Sequence, residues 1–147
     1  MAITFHADSA SCSTLIKRRL VAHWVRTVAA GYGFEVGDIA YIFCSEEGIL
    51  TVNQTYLQHD YYTDIISFDY TEGTVIGGDL YLSPETIRSN ARQVGASFRE
   101  ELHRVLIHGV LHLCGLKDKT PEARAVMEAA ENSALALLKE MIDDPKR

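Results

Sequence analysis

The sequence predicts an α+β fold, a small mixed sheet of about four strands packed with about five helices. Up to Leu82 the chain carries short apolar segments of strand length that alternate with polar residues. Between the first two of these lies a longer stretch with helical periodicity. After Ser83 it is divided by three strong helix starts, Ser83-Pro84, Ser97-Phe98-Arg99-Glu100 and Thr120-Pro121.

In order, Ile3-Thr4-Phe5 reads as a first strand. Ser13 or Thr14 is expected to cap a helix running to about Ala30. Leu15, Ile16, Leu20, Trp24 and Val28 fall near one side of it, and Gly31 and Gly33 end it. Asp38 to Cys44 is expected to be a strand, with Ile39, Tyr41 and Phe43 alternating. Glu46 to Leu57 reads as a short helix. Asp64 to Tyr70 and Val75 to Leu82 are two further strands, joined by a turn at Thr71-Glu72-Gly73-Thr74. A proline in the first turn and Gly95 past the end bound the next helix. A capping box opens the one after it, and the last runs from Thr120-Pro121 to about Met141.

With 147 residues, the chain is expected to form one domain, 1–147, and 47% hydrophobic content is enough for a real core. No apolar run reaches membrane length, and the N-terminus has no secretory pattern. Cys12, Cys44 and Cys114 are odd in number and scattered, which suits a reduced cytoplasm, not a disulfide framework. A net charge of −6 argues against a generic nucleic-acid coat, though the charge is uneven. Basic residues gather at Lys17, Arg18, Arg19 and Arg26, and at Arg88, Arg92, Arg99 and Arg104. Arg88 and Arg92 are neighbours on one helix face and can meet phosphates, as can Arg104 and Lys117.

The chemistry is carried by His108-Gly109-Val110-Leu111-His112-Leu113-Cys114-Gly115-Leu116-Lys117-Asp118. Imidazoles at i and i+4 share one helix face. A Gly three residues on lets the chain leave the helix through a left-handed residue. Asp118 then has a route back to the same ion. Three protein ligands with one open position is the plan of a catalytic zinc site. His108, His112 and Asp118 are thus the expected ligands of one Zn2+ ion, and the carboxylate makes the site more tolerant of other divalent ions. Cys114 points from another helical face and is expected to be a buried thiol. His103 is expected at the surface. Gly109 inside a helix costs about 1 kcal/mol against Ala, which suggests close approach of another backbone or of a substrate.

His108 to Gly115 resembles the signature of the YbeY family of bacterial metal-dependent endoribonucleases. Asn53-Gln54-Thr55-Tyr56 and Asp60-Tyr61-Tyr62-Thr63-Asp64-Ile65-Ile66-Ser67-Phe68 resemble the family's second marker, and Gly78-Asp79-Leu80-Tyr81-Leu82-Ser83 its Gly-Asp-Ile strand. The resemblance covers nearly the whole chain. It implies a cytoplasmic, single-strand-specific ribonuclease that matures the 3′ end of small-subunit (16S) ribosomal RNA and helps remove faulty ribosomes. Ribosomal RNA and the small subunit are the implied partners, with no membrane or DNA expected. Asp118 stands where the family usually has a third histidine. Leu57 stands where many relatives have an arginine that steadies the scissile phosphate. Two other readings remain: a zincin-like peptidase, which here lacks its general base because Gly109 occupies the Glu position, and a ribosome-associated binding factor with a structural metal.

Overall fold

In the computed structural model, residues 2–7, 16–56 and 64–144 are described. The Ser13 or Thr14 cap, Leu15, Cys12, Leu57 and the Asp60–Thr63 part of the second marker lie outside them. The elements run β1 (Ile3–Ala7), α1 (Arg18–Gly31), β2 (Glu35–Phe43), α2 (Glu46–Tyr56), β3 (Ile65–Asp69), β4 (Val75–Leu82), α3 (Pro84–Val94), α4 (Phe98–Leu113) and α5 (Pro121–Asp143). The expected α+β layout of four strands and five helices is present.

The sheet has the order β1-β2-β4-β3. β1, β2 and β4 are parallel, and β3 closes one edge antiparallel to β4 through the expected hairpin. Alternation along the strands sends side chains to two faces. Ile39, Tyr41, Phe43, Ile76, Leu80 and Leu82 join the main core with α1, α4 and α5. Ile66 and Cys44 turn the other way, where Ile49 of α2 covers them and Phe68 and Tyr81 pack alongside.

Two boundaries differ most from expectation. α1 begins at Arg18, preceded by Lys17 without a side-chain cap. β2 begins three residues early, at Glu35, because its pairing with β4 shifts register between Val36 and Ile39. That bulge places an extra residue in the strand and breaks the alternation by which strands are recognised. The helix starts after Ser83 fall where expected. Ser83, Ser97 and Thr120 each accept a backbone N–H from three residues on, that of Thr86, Glu100 and Ala123 respectively.

α4 is buried on several sides, with Leu102, Val105, Leu106, Ile107, Val110, Leu111 and Leu113 all in the core. Tyr41 of β2 donates its hydroxyl to the Leu106 carbonyl at 2.9 Å, pinning α4 to the sheet. Trp24 of α1 donates to the Ala134 carbonyl of α5 at 2.7 Å. Gly109 has a packing reason, though not the expected one. A Cβ there would come within 2.9 Å of Ile65 Cδ1 and 3.0 Å of Leu80 Cδ1, so side chains of the sheet press on the helix rather than a second backbone.

Candidate metal centre

The site is built where α4 ends. The last turn closes with the Leu116 N–H bonded to the Leu111 carbonyl at 3.1 Å and the Gly115 N–H to the His112 carbonyl at 2.9 Å. This paired arrangement is the Schellman motif, and it needs a left-handed residue. Gly115 supplies it, with φ +98. The chain therefore doubles back over the helix end, and Asp118 returns to the face that carries both histidines.

Asp118 Oδ2 lies 3.3 Å from His108 Nε2 and 3.2 Å from His112 Nε2. The two rings stand nearly perpendicular, 4.8 Å between centroids. One donor atom from each of His108, His112 and Asp118 falls in a group less than 4.8 Å across. All three side chains are partly open to solvent.

Behind this group lies an ionic cluster that the sequence analysis did not identify. His108 Nδ1 and Glu131 Oε2 of α5 are 2.6 Å apart. The other Glu131 oxygen accepts from Arg104 Nη1 at 2.9 Å, and Arg104 Nη2 donates to Asn132 Oδ1 at 2.8 Å. Glu131 is buried, at 8% exposure. Burial works against a charged His108 and is the largest influence on it. The Glu131 hydrogen bond, then the charges of Glu131, Asp118 and Asp64, outweigh burial and raise its pKa above that of an ordinary histidine. Burial pushes the Glu131 carboxyl up, but its bonds to His108 and Arg104 prevail and hold it below the usual range. Asp64, at the start of β3, feels the same surroundings. Its carboxyl is raised, chiefly by burial, against the pull of His108 and of the Asp64 and Ile65 backbone amides.

A cleft of about 1070 Å³ opens from His108 and Asp118 and runs between α4 and α5, past Arg104, Glu131 and Leu138, to Ile142. Of the basic residues expected to meet phosphates, Arg104 lines this cleft, but its guanidinium is engaged by Glu131 and Asn132. Arg88 lies over the Phe98 ring, 4.4 Å from its centroid, and Arg92 is exposed in the last turn of α3; neither borders the cleft. Lys117 is exposed, next to Asp118. His103 is half-buried rather than at the surface, because its ring meets Trp24 edge-on at 6.0 Å. Cys114 is buried as expected, and burial pushes its thiol up to about 11.

Glu131 is the site residue that sequence reasoning missed. The signal was present. The buried positions of α5 are Met127, Ala130, Glu131, Ala134, Leu138 and Met141, an apolar stripe at helical spacing with one acid in it. A lone carboxylate on a buried stripe requires a partner.

Comparison with known proteins gives a concordant picture. Residues 3–139 match the family described as endoribonuclease YbeY. The endoribonuclease YbeY of Bacteroides thetaiotaomicron is 56% identical over 137 residues, covering 93% of this chain and 99% of that one. Its counterpart in Parabacteroides distasonis is 55% identical over 140 residues, 95% and 98% of the two chains. The solution structure of a Thermotoga maritima protein shares the fold, with a TM-score of 0.65 and 24% identity over 99% of both chains.

Proposed function

The chain belongs to the YbeY endoribonuclease family, metal-dependent hydrolases of phosphodiester bonds involved in ribosomal RNA processing, and from that premise we propose a specific role for it. It acts in the cytoplasm on single-stranded segments of 16S ribosomal RNA at the small subunit, in 3′-end maturation and ribosome quality control. It uses one zinc ion held by His108, His112 and Asp118.

The observation that carries this reading is the convergence of those donors. A tetrahedral ion with bonds of about 2.0–2.1 Å keeps neighbouring ligand atoms roughly 3.4 Å apart. Asp118 Oδ2 already stands 3.3 and 3.2 Å from the two Nε2 atoms, and the three donor atoms lie within 4.8 Å of one another, which supports a small divalent ion at their centre. Two nitrogens and one oxygen suit zinc and leave one position for substrate or water. When bound, such an ion supplies Lewis acidity at a phosphoryl oxygen and makes a nearby water more acidic.

The chain's own residues do the rest. Asp118 and Glu131 bring two carboxylates to the site against the single charge of Arg104, a balance that favours a dication. Lys117, exposed beside Asp118, is the basic residue among Arg88, Arg92, Arg104 and Lys117 best situated to meet an incoming phosphate. The cleft between α4 and α5 gives the rest of an RNA strand a path away from the metal. The peptidase alternative loses ground here. The position that would carry its general base is Gly109, which is buried against Ile65 and Leu80. No helix among the described residues is long and apolar enough to cross a membrane.

The test uses purified protein loaded with zinc and offered single-stranded RNA, duplex RNA and casein. Cleavage of single-stranded RNA alone, lost in His112→Ala, supports the proposal. Cleavage that persists unchanged in His112→Ala overturns it. Co-sedimentation with small subunits by a protein that cleaves nothing favours the binding-factor reading instead.

A further inference from the structure

His108, His112 and Asp118 are each partly open to solvent, whereas Glu131 behind them is buried. Glu131 sits on the inner face of α5 with both oxygens engaged, one by Arg104 and one by His108. A buried carboxylate is costly unless charged partners surround it, and here they come from two successive turns of α4. Arg104 is in turn held by Asn132, the residue next to Glu131. The two helices are therefore stitched by a closed set of charged contacts beside one of the two histidines. His112, four residues on, has its Nε2 facing Asp118 and no comparable buried partner among the described residues.

We propose that Glu131 is a positioning residue for the metal: clamped by Arg104, it accepts the Nδ1–H of His108 and so presents Nε2 of that ring to the ion. This inference rests on the ligand assignment above and extends it to α5. An imidazole that donates from one nitrogen to a carboxylate has its tautomer and ring plane fixed and its other nitrogen made a better donor to metal. The geometry has the right sense. Nδ1 is 2.6 Å from Glu131, while Nε2 faces Asp118. Arg104, expected from the sequence to meet phosphate, thereby acquires a different task. It holds the Glu131 carboxylate in place, aimed at His108.

The assignment makes α5 part of the catalytic apparatus although it carries none of the three ligands. It also explains why a helix otherwise buried through Met127, Ala130, Ala134, Leu138 and Met141 keeps an acid among them.

The experiment measures zinc affinity of the full chain by competition with a chromophoric chelator, alongside nitrogen NMR of the histidine rings. Glu131→Ala is expected to weaken zinc about 10–100-fold, while Glu131→Gln, which keeps an acceptor oxygen, recovers most of that loss. In the zinc-loaded wild type, His108 is expected to carry its proton on Nδ1, a readout that does not depend on any variant folding. Unchanged zinc affinity in a folded Glu131→Ala protein overturns the proposal, as does a proton on Nε2 of His108. His112→Ala separates the two levels of the argument. If wild type binds one zinc, His112→Ala binds none and Glu131→Ala binds as wild type does, then only the role of Glu131 fails. If wild type binds no zinc, the ligand assignment fails with it.

Discussion

The hydroxyl of Tyr41, on the second strand of the sheet, reaches the carbonyl of Leu106, two residues before His108, at 2.9 Å. Both residues are fully buried. The bond ties the register of α4 to the sheet and so sets where His108 and His112 stand. Tyr41→Phe removes it without leaving a void and is expected to cost about 1 kcal/mol at neutral pH.

The same residue predicts an alkaline response. Burial raises the Tyr41 pKa well above its ordinary value near 10. Above pH 10 the unfolded chain releases this proton while the folded chain keeps it, so the unfolded state gains and stability falls as pH rises. The Phe variant has no such proton. Its deficit against wild type is expected to be full below pH 10 and to shrink above it, by about 1.4 kcal/mol per pH unit. Urea midpoints followed by circular dichroism at pH 8 and pH 11 check this. A deficit that grows at high pH would refute the burial argument.

An acid response of opposite sense belongs to His103. Burial, and then the charge of Arg99, lower its pKa below the usual histidine value. As pH falls below about 6.5 the unfolded chain takes up the proton first, so this residue's contribution to stability is present above that pH and is lost below it. His103→Gln is expected to flatten the stability profile between pH 7 and 5 relative to wild type. Trp24, the only tryptophan and in edge contact with His103, makes fluorescence a suitable probe.

How much of this was legible in the residues depends on the range of the interaction. Ser83-Pro84, Ser97 and Thr120-Pro121 announce their helices because a cap acts within three residues. The grouping of His108, His112 and Asp118 was legible for the same reason. It depends on one helical turn and one left-handed glycine. The bulge in β2 was not legible, because it is set by pairing with β4, far along the chain. Glu131 stands 23 residues from His108, and no local spacing encodes that contact. Arg104 reads as a free base in sequence because its two acceptors lie on another helix.

The proposed third ligand, Asp118, sets a further expectation. Asp118→Ala should reduce zinc affinity by more than the roughly 10–100-fold typical of an outer partner, since it removes a donor atom outright. Asp118→His restores a nitrogen of the kind zinc prefers and should hold zinc as tightly or more tightly, with less tolerance of harder ions. Chelator competition with zinc and manganese on both variants checks the pair. Loss of zinc in Asp118→His would show that residue 118 does not face the ion.

Gly115 joins stability to metal binding in one residue. Its φ of +98 is what turns the chain after His112 and brings Asp118 back. An alanine there costs about 1–2 kcal/mol for the left-handed backbone alone. If the turn is held by the Leu116–Leu111 and Gly115–His112 bonds, Gly115→Ala is destabilised by about that amount. If the alanine instead relaxes toward an ordinary φ, those bonds break and Asp118 swings away from the histidines. Zinc affinity then falls in step with the structural change. Melting temperature and zinc affinity measured on the same preparation distinguish the two. A variant with wild-type values for both would show that the helix end does not govern the site.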